Sequence, residues 1–338
     1  LAAALLLAVA PLHVRDSHFL TVDVTATFLG LASLALLLHF RETRRKGVLA
    51  ASALCLGLAT STKYNLALFA AAYPVVLWPQ FWNPAEARRL ATRLASAGAL
   101  ALLAFALTTP YAWLDFASFL DDLGYERAHF FAGHALDTGP AWWQHLRFSL
   151  WHGLGLPTFV SSLLGCVWLG ARRREPARLG VLAALVAYAL VAGSGRTAFA
   201  RYMIPALPLL CVAAGVLLAE VTERVAAARP GTKQLVRAAM IALVALPALW
   251  ASIQIDRRLA REDTRVQALH WIIEHVPAGT RVGSEGSHWG LPPLAEHGFE
   301  VVELTAAMRQ DLDALARDGV DWVILQNHPL PYSRISPE

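Results

Sequence analysis

Between Val48 and Trp82 the chain carries a single charged residue, Lys63, within Thr60-Ser61-Thr62-Lys63-Tyr64-Asn65. The stretch is long enough to cross a bilayer twice with Lys63 at its midpoint, which predicts a short helical hairpin with a cation at its turn. A charge in hydrocarbon is costly, so such a residue by default faces a polar cavity or a headgroup and marks a functional site. No carboxylate lies in the same stretch, and read alone Lys63 is an uncompensated cation.

Composition extends the argument to the whole chain. With 56% hydrophobic residues, 16% charged and a mean hydropathy of +0.45, it is far more apolar than a soluble domain of its length. Apolar runs recur at Leu20–Phe40, Val48–Thr60, Leu66–Trp78, Leu94–Pro110, Trp151–Gly170, Leu179–Ala192, Tyr202–Leu218 and Leu235–Ile253. Several reach the roughly 17–25 residues that a spanning helix needs. The expected fold class is mainly α, a polytopic transmembrane helical bundle.

The gaps between runs orient it. Alternate loops, Arg41–Lys46, Arg88–Arg93, Arg172–Arg178 and Arg224–Arg237, hold fifteen Lys or Arg, and the intervening ones hold six: Arg15, Lys63, Arg127, Arg147, Arg196 and Arg201. Cytoplasmic loops carry the basic excess, so the first set is expected inside and the second outside. The isoelectric point near 9.1 is then a matter of topology, and no nucleic-acid partner is implied.

Residues 1–253 form the expected membrane domain. Leu1–Ala10 is half a span without the basic start or cleavage site of a signal peptide, and is read as the remnant of a longer protein. Residues 254–338 are expected to form a small extracytoplasmic α/β domain, with a helix from Val266 ending before Pro277 and strands at Thr280–Ser284, Phe299–Leu304 and Trp322–Gln326. Arg309–Arg317 is a helix stopped by Gly319, and Pro329–Glu338 reads as a cut edge. Cys55, Cys166 and Cys211 lie in apolar runs without paired spacing, the pattern of packing residues.

On the expected external face three features converge. Asp16 lies in a short loop, Pro11 to His18, and Asp23 follows about two turns on, on nearly the same helical face. Asp23 sits inside an apolar run and should face protein, where an ion pair with Lys63 that merely neutralises both is the simplest alternative role. In Arg201-Tyr202-Met203-Ile204-Pro205-Ala206-Leu207-Pro208, Pro205 cannot donate to the Arg201 carbonyl, so the helix opens beside the cation. That combination suits a phosphate headgroup, and the alternative is an arginine snorkelling to the interface. The loop Tyr111–Leu150 interleaves Asp115, Asp121, Asp122, Glu126, His129, His134 and Asp137 with Trp113, Tyr125, Trp142 and Trp143. Sugars present both hydroxyls and apolar CH faces, which such a surface suits; interfacial anchoring explains the aromatics equally. His129 and His134 are five apart, not the three or four of a helical metal pair, and no metal site is proposed.

Four segments in this order, Arg15-Asp16-Ser17-His18 with Asp23, then Gly57-Leu58-Ala59-Thr60-Ser61-Thr62-Lys63-Tyr64, then the Arg201 to Pro208 segment, then Thr264-Arg265 with Trp271, resemble the GT-C membrane glycosyltransferases. The nearest branch holds the protein O-mannosyltransferases and the aminoarabinose transferase of lipid A, often grouped as glycosyltransferase family 39. The resemblance implies a polyprenyl-phosphate-linked sugar as donor, used on the outer face with inversion at the anomeric carbon, and a protein, lipid or glycan acceptor. The family's main catalytic acid would lie upstream of Leu1. Among matching positions, Asp16, or Asp23 in its place, would be the acidic residue of the second external loop. Lys63 with Tyr64, and Arg201 with Tyr202, would bind the donor phosphate; His18, His129 and His134 are candidates for acceptor or sugar contacts. No cofactor is called for, and a divalent metal stays open. Against this stand a transporter or flippase of lipid-linked sugars, which needs polar residues across the whole bilayer, and a non-catalytic membrane subunit that binds them. The inner halves of the apolar runs are almost featureless, which favours a one-sided enzyme site in a bacterial or archaeal cell membrane.

Overall fold

The structure, a computed structural model, describes residues 1–77, 84–133, 139–171, 175–228, 231–284, 294–304 and 312–325. The chain divides into two units, Leu1–Ile255 and Asp256–Glu338.

The first unit is helical. Helices α1 (Ala2–Ala8), α2 (Pro11–Ser17), α3 (Val22–Thr43) and α4 (Lys46–Thr62) are followed by a 3-10 segment, Tyr64–Ala71, and by α5 (Ala72–Leu77) and α6 (Pro84–Thr108). Next come α7 (Tyr111–Leu114), α8 (Phe116–Ala132) and α9 (Ala141–Gln144), a π-helical turn at His145–Leu150, then α10 (Trp151–Leu154), α11 (Leu156–Ala171) and α12 (Pro176–Gly193). A second 3-10 turn, Ala200–Ala206, leads into α13 (Leu207–Ala228) and α14 (Lys233–Leu259). Five of the described helices are long and apolar enough to cross a membrane, six if the bent pair around Gly155 counts as one span. The protein is an integral membrane protein.

Small residues set how closely these helices approach. A Cβ at Gly57 would collide with the Ala101 carbonyl on α6, and one at Gly165 with the Ala213 carbonyl on α13. In lipid, where burial gains little between helices, backbone contact of this kind drives packing. Deep in the bundle Ser52 donates to the Ser33 carbonyl (2.8 Å) and shares a hydrogen bond with the Tyr73 hydroxyl (2.6 Å), so the polar groups between α3, α4 and α5 are matched.

Three details correct the sequence reading. Trp151–Gly170 is not one continuous helix: the chain bends by 117° at Gly155, whose φ of +76° an L side chain rarely adopts. Tyr111–Leu150 is not a loop among its described residues but mostly helix, and α8 starts at Asp115, whose carboxylate accepts the Ser118 N–H at 3.3 Å. Finally, Asp16 and Asp23 do not share a helical face. Asp16 lies within α2, which ends at Ser17, and Asp23 occupies the first turn of α3 after an extended Thr21.

The second unit holds α15 (Thr264–His275), β1 (Arg281–Ser284), β2 (Glu300–Glu303), α16 (Leu312–Arg317) and β3 (Trp322–Ile324). Asp263 caps α15 by accepting the Arg265 N–H at 2.8 Å. Among the described residues the strands form one parallel sheet of order β2-β1-β3, as strands alternating with helices require. Leu269 and Ile272 of α15 pack with Val282 and Phe299 in its core. The expected strands at 280–284, 299–304 and 322–326 are present in shortened form, and Gly319 closes α16 with φ +73°.

Candidate active site

The site is built on two breaks in the chain. At the first, α4 stops because Lys63 turns to extended backbone (φ −155°, ψ 113°) while its N–H still reaches the Ala59 carbonyl at 2.9 Å. The Lys63 side chain, only 18% exposed, forms an ion pair with Asp23. Asp23 is 3% exposed and sits in the first turn of α3, where the helix N-terminus favours its negative charge. Lys63 is therefore compensated by a carboxylate from a different helix, the Asp23 ion pair that the sequence offered as the alternative role. On its other side the ammonium stands over the Tyr202 ring, 5.3 Å from the centroid, a cation–π contact.

The second break is the 3-10 turn Ala200–Ala206, with Pro205 inside it. The opening of the helix beside Arg201 is thus present as a tightened turn. The Arg201 side chain is at the surface, with its guanidinium 4.7 Å from the Phe199 ring centroid. Tyr202 meets Phe199 edge-on at 5.5 Å and Phe130 of α8 at 6.4 Å.

Asp16 completes the cluster. It is 2% exposed, and Arg15 donates to its Oδ2 from Nε at 2.9 Å and Nη2 at 2.7 Å. Burial pushes its carboxyl above the ordinary 3.8 against the lowering pull of Arg15; the charge of Asp23 adds to the rise and that of Arg201 opposes it. α2 touches both α3 and the Ala200–Ala206 turn, which brings Asp16 near the elements that carry Asp23 and Arg201.

The remaining candidates are placed differently. Tyr64 turns toward α6 and α8, edge-on to Phe105 at 6.1 Å and Phe119 at 5.9 Å. His18 is exposed, and its Nδ1 is 2.8 Å from the Val14 carbonyl. His129 stacks parallel on Tyr125 at 6.2 Å, and its carbonyl accepts the Thr197 hydroxyl at 2.8 Å. That bond, with the Arg196 and Thr197 N–H groups on the Phe130 carbonyl, ties the end of α8 to the loop leading to Arg201. His134 lies outside the described residues. Among those described, no group of three or more His, Cys, Asp or Glu residues could hold a metal ion. A cleft of about 370 Å³ opens beside Met203, lined mainly by Trp142, Leu146, Leu150, Val186 and Leu190, and its apolar walls suit a hydrocarbon chain.

The sequence reading missed Tyr188 and Asn65. The Tyr188 hydroxyl donates to the Tyr202 carbonyl at 2.7 Å and accepts from Asn65 Nδ2 at 3.1 Å. Tyr188 was hidden inside the apolar run Leu179–Ala192; a lone phenol in a spanning helix that must find a partner was the available signal.

Residues 1–113 match the family described as dolichyl-phosphate-mannose-protein mannosyltransferase. No curated protein matches the sequence. Among solved structures the chain resembles the crystal structure of ArnT from Cupriavidus metallidurans bound to undecaprenyl phosphate, with a TM-score of 0.59 and 16% identity over 95% of this chain and 69% of that one. The likeness to that structure shows that the chain shares its fold, and the family match is confined to the first 113 residues.

Proposed function

We propose that the protein transfers a sugar from a polyprenyl-phosphate-linked donor to an acceptor hydroxyl on the extracytoplasmic face of the membrane. One observation carries the reading. Two breaks in apolar helices, distant in sequence, bring Lys63 against Tyr202, next to Arg201, with Asp23 paired to Lys63 and Asp16 on α2, which touches α3 and the Arg201 turn. Cations with buried carboxylates at the ends of broken helices are what a phosphate-leaving reaction needs in a medium of low dielectric. The matches to a mannosyltransferase family and to a structure holding undecaprenyl phosphate support the same donor class.

In the reaction the acceptor oxygen forms a bond to the anomeric carbon while the bond from that carbon to the phosphate oxygen breaks, with inversion. The acceptor proton passes to a carboxylate, a role for which Asp16 is the candidate here, and the electron pair leaves with the polyprenyl phosphate. Lys63 and Arg201 stabilise the charge growing on that phosphate, and preplaced cations contribute most where water is excluded. Asp23 holds the Lys63 ammonium in place between turnovers. The apolar cleft beside Met203 takes part of the lipid tail, and the acidic, aromatic surface of α8 faces the acceptor side. The sugar, the acceptor and the side of the membrane are part of this proposal.

Protein expressed from its complete reading frame and reconstituted in vesicles should transfer radiolabelled sugar from a polyprenyl-phosphate donor to membrane acceptors. Vesicles that instead move the lipid-linked sugar between leaflets without releasing polyprenyl phosphate would replace the transferase with a flippase.

A further inference from the structure

We infer that Tyr188 is a positioning residue that locks the Lys63 break and the Arg201 turn into one unit. The inference rests on reading both cations as donor-phosphate ligands, and its argument starts from Pro205. In a 3-10 turn each carbonyl accepts from the N–H three residues on. For Tyr202 that residue is Pro205, which has no N–H. The proline that opens the turn therefore leaves the Tyr202 carbonyl without its regular partner, and the Tyr188 hydroxyl fills the place at 2.7 Å.

A phenol has one proton, and here it is committed to Tyr202. The Tyr188 oxygen then acts as acceptor for Asn65 Nδ2 at 3.1 Å, which fixes the orientation of the Asn65 amide. Asn65 stands two residues after Lys63, in the 3-10 segment that follows the first break. Phe69 of the same segment meets the Tyr188 ring edge-on at 6.2 Å, and Tyr188 is 0% exposed. The circuit closes on itself, because the Tyr202 ring lies under the Lys63 ammonium at 5.3 Å. From Lys63 the path runs through Asn65, Tyr188 and the Tyr202 carbonyl to the Tyr202 ring and back to Lys63. Segments separated by well over a hundred residues share one buried hydroxyl, and Arg201 is bonded directly to the residue it holds. Since small displacements of a charge-stabilising group are costly to a reaction, the hydroxyl sets the separation of the two cations.

Tyr188→Phe removes the oxygen and keeps the ring on Phe69. Two readouts test the inference in protein expressed from its complete reading frame. The first, hydrogen exchange, needs no activity: segments 61–67 and 199–206 should both exchange faster in Tyr188→Phe than in the parent. Faster exchange at 199–206 alone, or at neither segment, overturns the coupling. If Tyr188→Phe does not fold, Asn65→Leu leaves the Tyr188–Tyr202 bond intact and should loosen both segments; a change confined to 61–67 overturns it. The second readout is sugar transfer, where kcat/KM of Tyr188→Phe should fall about tenfold, the loss expected from one buried hydrogen bond. In an Arg201→Lys background the same change should add little, because it acts through the Arg201 turn. An equal loss in both backgrounds, or none in the parent, overturns the positioning role. A parent that transfers no sugar while both segments loosen together would sink the transferase reading and leave the mechanical coupling standing.

Discussion

Replacing Lys63 by methionine separates a catalytic cation from one that merely neutralises Asp23. The change keeps side-chain length and apolar bulk but leaves a carboxylate with a 4% exposed side chain without its ion-pair partner. Removing one member of a buried pair costs about 3–5 kcal/mol. With the Lys63 side chain 18% exposed, the lower figure, about 3 kcal/mol, applies. Lys63→Met alone should therefore fold poorly and transfer little, an outcome that either role predicts. The double variant Asp23→Asn/Lys63→Met removes both charges, so most of the lost stability should return. If Lys63 stabilises the leaving phosphate, kcat should nonetheless stay down by about 10²–10³, the loss on removing one preplaced charge-stabilising group. The assay pairs thermal unfolding in detergent with transfer from a polyprenyl-phosphate donor in vesicles. A double variant with parental stability and parental kcat would refute the assignment and reduce the pair to mutual neutralisation.

Other consequences can be checked with the same protein. Arg201→Lys keeps the charge and the ability to reach the interface but loses the planar fork that matches phosphate oxygens; turnover should fall with unfolding unchanged, and equal rates would make Arg201 an anchor. The Asp16 carboxyl is raised above 3.8, chiefly by burial. As the proton acceptor it should give kcat/KM an acid limb above that value, rising with pH and absent in Asp16→Asn. The stability sign is the opposite: a carboxyl raised in the fold favours folding below 3.8 and loses that contribution as pH climbs through the raised value. Asp16→Asn should therefore be no less stable than the parent at neutral pH, apart from the lost Arg15 contact, which unfolding at two pH values resolves. The C-terminal unit is expected outside the cell; a cysteine at Glu296 should react with an impermeant thiol reagent in intact cells, and labelling only after lysis would reverse the topology.

How far the site could be read in the sequence depends on which interactions are local. The spanning helices were visible because hydrocarbon permits few charges over a long run, and most of the observed helices fall on the expected runs. Pro205 was equally readable, since the missing N–H acts within its own turn. The bend at Gly155 was not, because a glycine in an apolar run looks the same whether it lets helices pack closely, as at Gly165, or reverses the chain. The Asp23–Lys63 pair was named in the sequence only as an alternative, because whether the two meet depends on how α3 packs against α4. Tyr188 could be seen to need a partner but not which one, because its role follows from a carbonyl whose regular 3-10 donor Pro205, seventeen residues later, does not supply.

That dependence also explains why the cluster sits at breaks. A continuous spanning helix satisfies its own backbone and offers no free groups to a ligand, so a polar site within an apolar bundle requires interrupted helices. Each interruption then leaves groups that must be matched from elsewhere. Here the Lys63 break and the Arg201 turn are linked to each other through Asn65 and Tyr188. A mutation that restores regular helix at either break, such as Pro205→Ala, would return a backbone donor to its own turn and make the Tyr188 hydroxyl redundant there. The bundle would lose nothing in backbone pairing, and the Arg201 turn would no longer depend on the Tyr188 hydroxyl for its place beside the Lys63 break.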